Sequence, residues 1–110
     1  MKLTPNEINT LKWAFAYPLW DTMPYVTGVT IEAHDDGRWT SYVVVVEDTS
    51  DDDKDALWFE IGEASVLVYN SDATLSEKEH PAQIITADSL EGHEKNLGWI
   101  FQGKKQPETV

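Results

Sequence analysis

The densest cluster of side chains that could do chemistry is an acidic run, Glu47 to Asp55, with six carboxylates in nine residues. Calcium prefers such oxygen ligands, and an EF-hand loop presents them with a glycine at its sixth position and a glutamate at its twelfth. A loop beginning at Asp51 would have Ala56 and Gly62 at those positions, and one beginning at Asp48 fails in the same way. We therefore expect neither a metal site nor a cofactor here.

The remaining candidate chemistry is sparse. The three histidines, His34, His80 and His93, lack the spacing of metal ligands, and no serine occupies a Gly-x-Ser-x-Gly elbow. Asp35 and Asp36 form a carboxylate pair, but acid–base work needs a partly buried cleft and these two occupy a predicted turn. The sequence therefore predicts a protein that is not an enzyme.

Net charge is the most informative property of the composition. Twenty acidic residues against eight basic ones give a formal net charge of -12 across 110 residues. Between residues 32 and 63, eleven acids face two basic residues, so this third of the chain carries nine of the twelve excess negative charges. Such a field repels nucleic acid and anionic membranes and attracts basic proteins. We expect a basic protein partner, without nucleic acid or membrane binding.

The segment at about 38–47 predicts a buried central strand. It contains four consecutive valines, Val43 to Val46, whose branched side chains suit a pleated surface. Because side chains alternate along a strand, both of its faces become apolar toward its end. The strand should therefore lie inside a sheet with other elements packed on both sides.

A helix over residues 5–16 should cover one face of that sheet. Thr4 is a favourable N-cap, Glu7 can complete a capping box, and Pro5 suits the first helical position. Pro18 disfavours helical geometry at the residue before it and should end the helix. The aromatic connector that follows, residues 17–25, should fill the core with large side chains.

Alternation and turn residues predict the remaining elements. His34 to Gly37 reads as a tight turn joining an antiparallel hairpin, and the strand before this turn should have one solvent-facing side. Gly62 and Glu63 suggest a second turn, residues 76–79 one helical turn, and residues 88–95 a brief helix. The other predicted strands cover about 26–33, 56–61, 65–70, 83–87 and 98–102, with a frayed tail at 106–110.

These elements predict one domain over residues 1–110 with an α+β fold. The N-terminal helix packs on an antiparallel sheet of five or six strands. The alternative is a small all-β barrel with the helix as a lid. Cysteine is absent, and neither a signal peptide nor a membrane-spanning run is evident, which favours a cytoplasmic protein.

The acidic surface suggests an intracellular inhibitor that binds and neutralises a basic protein. An immunity protein that blocks a cognate bacterial toxin, such as a nuclease with a positive substrate groove, fits best. The alternatives are a nucleic-acid mimic that inhibits a defence or regulatory protein, or a small-molecule binding module using Trp20, Tyr25 and Trp58. The expected partner-binding residues are Asp35, Asp36, Glu47, Asp48, Asp51, Asp52, Asp53, Asp55, Trp58 and Glu60.

Overall fold

Two helices pack on one face of a mixed four-stranded sheet. The structure is a computed structural model, and it describes residues 3–22 and 25–102. The predicted tail at 106–110 lies outside these residues. The elements in chain order are helix α1 (Pro5–Leu19), a 3₁₀ turn (Trp20–Thr22), strands β1 (Val26–Ala33) and β2 (Trp39–Val45), helices α2 (Asp51–Ser71) and α3 (Ala73–Ser76), and strands β3 (Gln83–Thr86) and β4 (Trp99–Gln102).

Helix α1 begins as predicted but continues three residues further. The Thr4 side chain accepts from the Glu7 backbone N–H, and the Glu7 carboxylate accepts from the Thr4 N–H, which completes the capping box. Pro18 lies inside the last turn, so the prediction that it ends the helix at residue 16 is wrong. Continuing the helix buries Leu19 completely, and that burial favours the extra turn.

Strands β1 and β2 form the predicted antiparallel hairpin. The turn closes through a hydrogen bond from the Gly37 N–H to the His34 carbonyl oxygen, and Gly37 adopts the positive φ of 88° that the turn requires. β2 is an interior strand, and Val43, Val44 and Val45 are all fully buried, which agrees with the expected central strand. The solvent-facing side predicted for β1 is wrong at Thr30, which is fully buried.

Residues 51–71 form one helix, so the strands predicted at 56–61 and 65–70 and the turn at Gly62 are wrong. Ser50 caps α2 by accepting from the Asp53 N–H, and three aspartates in the first turn interact favourably with the helix dipole. The first part of the acidic run, residues 47–50, therefore lies in the connector between β2 and α2, and residues 51–55 lie at the start of the helix. Within short apolar runs, period 2 and period 3.6 are hard to separate. The buried side chains of α2 follow a helical spacing: Leu57, Ile61, Ala64 and Val68.

The sheet is mixed, with strand order β3-β2-β1-β4. β1 pairs antiparallel with β2 and β4, whereas β3 pairs parallel with β2. The prediction of five or six antiparallel strands fails because a helix, α2, connects β2 to β3, and such a crossover returns the chain in the same direction. The sheet has two edges, so the barrel alternative is also wrong.

Two smaller predictions also change. The helical turn expected at residues 76–79 lies slightly earlier, as α3, whose N-cap Asp72 accepts from the Leu75 N–H. The brief helix expected at 88–95 is a series of turns. These turns are anchored to β1, because Lys95 donates its N–H to the Thr30 hydroxyl and Thr30 donates to the Gly98 carbonyl oxygen. The Lys95 N–H therefore does not donate to the carbonyl four residues earlier, as a helix over residues 88–95 would require.

The main core lies between the sheet and the two long helices. Alternate residues of β1 and β2, with Val29, Ile31 and Val43 among them, meet the inner faces of α1 and α2. On the other face of the sheet, the Trp99 and Leu90 side chains come within 3.0 Å of the position that a Cβ on Gly28 would take. Within residues 3–22 and 25–102, no helix has the length and apolar character needed to cross a membrane.

Candidate protein-binding groove

The helical layer carries an unusual number of exposed apolar side chains on its outer surface. Isolated exposed apolar residues are ordinary, but a contiguous group commonly marks an interaction site. Every large hydrophobic side chain that is exposed in the described part of the chain belongs to α1, the 3₁₀ turn or α2. They are Trp13, Tyr17, Trp20, Trp58, Phe59, Val66 and Tyr69.

Four of these side chains line one open groove between α1 and α2, with a volume of about 860 Å³. Trp13 and Tyr17 lie one helical turn apart on α1 and stack, with ring centroids 6.2 Å apart. Trp20 extends this wall, and Phe59 faces it from α2. We call this the interhelical groove, and its lining residues are Trp13, Ala16, Tyr17, Pro18, Trp20, Phe59, Glu60, Glu63 and Leu67.

The groove arises from the helical periods of its two walls. On α2, Leu57 and Ile61 point into the core, and steps of 100° per residue turn Phe59 and Glu63 outward. In the strand that the sequence predicted over residues 56–61, residues 57, 59 and 61 would share a face, and Phe59 would point inward with Leu57 and Ile61. The signal that could have revealed the groove is an aromatic residue, Phe59, at a position that faces solvent when the segment is helical.

The charge within the groove has one sign. Glu60 and Glu63 are the only charged residues among its lining, and no lysine or arginine of the described chain contributes to it. Glu60 is half-buried, and its charge acts on the phenol of Tyr25. Burial raises the pKa of Tyr25 above its ordinary value, and the carboxylates of Asp53 and Glu60 raise it further. The groove is therefore apolar with a negative wall.

The predicted partner-binding residues divide into two separate regions. Asp51, Asp52, Asp53 and Asp55 are exposed at the N-terminal end of α2 and lie on the same helix as Glu60; Glu47 and Asp48 are exposed in the connector just before it. Asp35 and Asp36 occupy the hairpin turn at the far end of β2. A seven-residue strand spans roughly 20 Å, so the two acidic regions lie at opposite ends of the sheet.

Trp58 has a different position from the one expected. It lies on a helix rather than a strand, and its side chain is exposed without lining the groove. Tyr25 packs partly against the core, and Trp20 lines the groove instead of filling the core. The three aromatics proposed for a small-molecule pocket, Trp20, Tyr25 and Trp58, therefore do not share one cavity.

Two histidines that are distant in sequence meet in the structure. The rings of His34 and His80 pack edge to face with centroids 5.2 Å apart, and His34 Nε2 lies 2.8 Å from the Thr40 hydroxyl oxygen. No residues of the described chain form a group of three or more side chains suited to holding a metal ion. The histidine pair has a structural arrangement in which a hydroxyl partner satisfies one ring nitrogen.

Comparison of the chain with models of known protein families finds no match, and comparison with curated proteins finds none either. Fold and surface together define a two-layer α+β protein whose helical face combines an aromatic groove with concentrated negative charge.

Proposed function

We propose that this protein binds a basic protein through the outer face of its helical layer and thereby inhibits it. In the particular form we favour, it is an immunity protein that blocks a bacterial toxin such as a nuclease. The observation that carries the proposal is the coincidence, on α2, of an acidic first turn and one wall of the interhelical groove.

The two parts of this surface have different roles. Exposed carboxylates attract a basic partner over a distance that is set by the Debye length, and they chiefly raise the association rate. Aromatic side chains are desolvated on contact and chiefly slow dissociation. A nuclease binds phosphates in a positive cleft, so a surface that presents clustered carboxylates beside aromatic anchors can occupy that cleft and exclude its substrate.

The acidic end of α2 supports protein inhibition better than mimicry of nucleic acid. A mimic needs carboxylates spaced along an elongated surface as phosphates are, whereas here the acids are concentrated next to an apolar groove. The second acidic region, Asp35 and Asp36, lies at the far end of the sheet. We therefore propose that the acids of α2 and those of the connector before it steer the partner toward the binding surface.

The test begins with recovery of partners from the native cell on immobilised protein, followed by mass spectrometry. Association and dissociation rates are then measured with the purified partner at about 0.05 M and 1 M salt, between which the Debye length falls several-fold. The variant that carries Asp51→Asn, Asp52→Asn and Asp53→Asn should associate about tenfold more slowly at low salt. At high salt its rate should approach that of the wild type.

A matched control carries Asp88→Asn, Glu91→Gln and Glu94→Gln, three exposed acids in the turns after β3. It removes the same number of charges, and its association rate should change much less. Inhibition of the partner's activity is measured in parallel. If both triple variants slow association equally, the effect comes from net charge and not from the acids of α2. If the partner remains fully active in the complex, the proposed inhibitor function is wrong.

A further inference from the structure

We infer that the interhelical groove is a binding site for the arginine side chains of a partner segment. This inference rests on the proposed function, because it names the chemistry that the partner brings to the groove. The observation is that four exposed aromatic side chains and two carboxylates line one open cavity that contains no cationic residue of the described chain.

The aromatic walls favour a flat cation. The face of an aromatic ring is electronegative, and a guanidinium group over it is attracted electrostatically while it also stacks. The Trp13 and Tyr17 rings stack with an angle of 27° between their planes, and both side chains line the groove. Phe59, with 68% of its surface exposed, adds an aromatic side chain on the opposite wall, which belongs to α2.

The carboxylates disfavour a purely apolar occupant. Glu60 and Glu63 lie three residues apart on α2, which places them as neighbours on one helix face. An apolar ligand that filled the groove would remove water from both carboxylates without replacing their hydrogen bonds, at a substantial cost. Arginine supplies those bonds, because its planar group donates in parallel to both oxygens of a carboxylate.

The dimensions indicate a protein segment rather than a free small cation. The α2 wall runs from Phe59 to Leu67, two helical turns or about 12 Å. A cavity of about 860 Å³ exceeds what one guanidinium group occupies. The occupant is therefore a segment that places arginines beside the carboxylates and an apolar side chain against Leu67.

The test uses a defined probe and does not require the natural partner. The probe is a fluorescein-labelled, capped peptide of twelve residues with arginines three residues apart and one leucine in the next turn, titrated by fluorescence anisotropy at physiological salt. A second peptide carries citrulline, the neutral analogue of arginine, and a third carries lysine. We expect the citrulline peptide to bind at least tenfold more weakly, and the lysine peptide to lie between.

Variants of the protein separate groove binding from general attraction to a negative chain. Phe59→Ala and the pair Glu60→Gln with Glu63→Gln should each weaken arginine-peptide binding by about tenfold. The control Tyr69→Ala removes a similarly exposed aromatic outside the groove, and Asp88→Asn with Glu91→Gln removes two charges elsewhere. Neither control should change the affinity by more than about twofold.

Equal binding of the citrulline peptide, equal losses in the controls, or no binding of the arginine peptide would each overturn the inference. A concentration-dependent dimer that Phe59→Ala abolishes, measured by analytical ultracentrifugation, would also overturn it, because a second copy would then occupy the groove. The two proposals fail separately. A partner that is steered by the α2 acids but indifferent to Phe59→Ala would leave the inhibitor function standing and remove this site.

Discussion

The indole Nε1 of Trp39 donates a 2.9 Å hydrogen bond to the backbone carbonyl oxygen of Leu75, deep in the core. This bond joins the first residue of β2 to α3. Phe15 of α1 meets the same indole edge to face, with ring centroids 5.7 Å apart. Because all three side chains are fully buried, Trp39 connects sheet, first helix and third helix at one point.

The first prediction concerns the α1 side of this junction. Phe15→Ala removes a fully buried ring and its contact with Trp39, so it should lower the free energy of unfolding by about 3–5 kcal/mol. Lys12→Ala on the exposed face of the same helix is the control and should cost about 0.5 kcal/mol or less. Urea unfolding followed by circular dichroism measures both. Similar midpoints for the two variants would mean that α1 does not pack as described.

The second prediction tests whether residues 51–71 form one helix. Gly62 lies in the middle of α2, and a Cβ built there contacts nothing within 4 Å. Gly62→Ala should therefore stabilise the protein by about 0.5–1 kcal/mol, because alanine loses less backbone entropy in a helix. Gly92 has equally open space but a φ of 83°, so Gly92→Ala should be destabilising. If Gly62→Ala destabilises as well, a turn rather than a helix occupies that position.

The sequence predicted the parts of the fold that depend on strong local signals. The capping box around Thr4 and Glu7 located the start of α1, and the Asp-Gly turn before Arg38 located the hairpin. The consecutive valines of β2 indicated an interior strand. Each of these features is decided within a few residues, where capping, turn chemistry and side-chain branching act directly.

The error in α2 shows why the rest was not predicted. Trp58, Phe59 and Val66 are apolar yet exposed, so the sequence carries apolar residues on several faces of the helix and the buried period is obscured. One of these exposed side chains, Phe59, also lines the interhelical groove. The residues that hid the helix from pattern analysis therefore overlap with those that line the groove, and only the fold separates inward from outward positions.

The third prediction concerns pH. Glu79 is half-buried, and its desolvation raises the pKa of its carboxyl above the ordinary value, while a 2.9 Å hydrogen bond from the Ser65 hydroxyl acts in the opposite direction. A carboxyl with a raised folded pKa binds its proton more tightly in the folded state. Its stabilising contribution is therefore present below the unfolded pKa and is lost as pH rises through the folded pKa.

Glu79→Gln should remove this loss, because glutamine stays neutral and can still accept the bond from Ser65. The variant should gain stability relative to wild type as pH rises from about 4 to about 7, measured by urea unfolding across that range. Glu77→Gln changes the net charge equally at an exposed site and is the control. A parallel pH dependence in wild type and Glu79→Gln would show that Glu79 is not desolvated.

The fourth prediction compares two buried hydroxyls on opposite faces of the sheet. Ser41 is fully buried in β2, and its hydroxyl has no hydrogen-bond partner among the described residues, whereas the Thr30 hydroxyl donates to Gly98 and accepts from Lys95. An unpaired buried hydroxyl costs free energy, so Ser41→Ala should raise the free energy of unfolding by about 1 kcal/mol. Thr30→Val keeps the side-chain shape but leaves two backbone groups without their partner, and it should cost about 1–3 kcal/mol. Urea unfolding of both variants at one pH gives the comparison directly. A larger loss in Ser41→Ala than in Thr30→Val would mean that the Ser41 hydroxyl makes a stabilising bond, and the packing described around the centre of β2 would then be wrong.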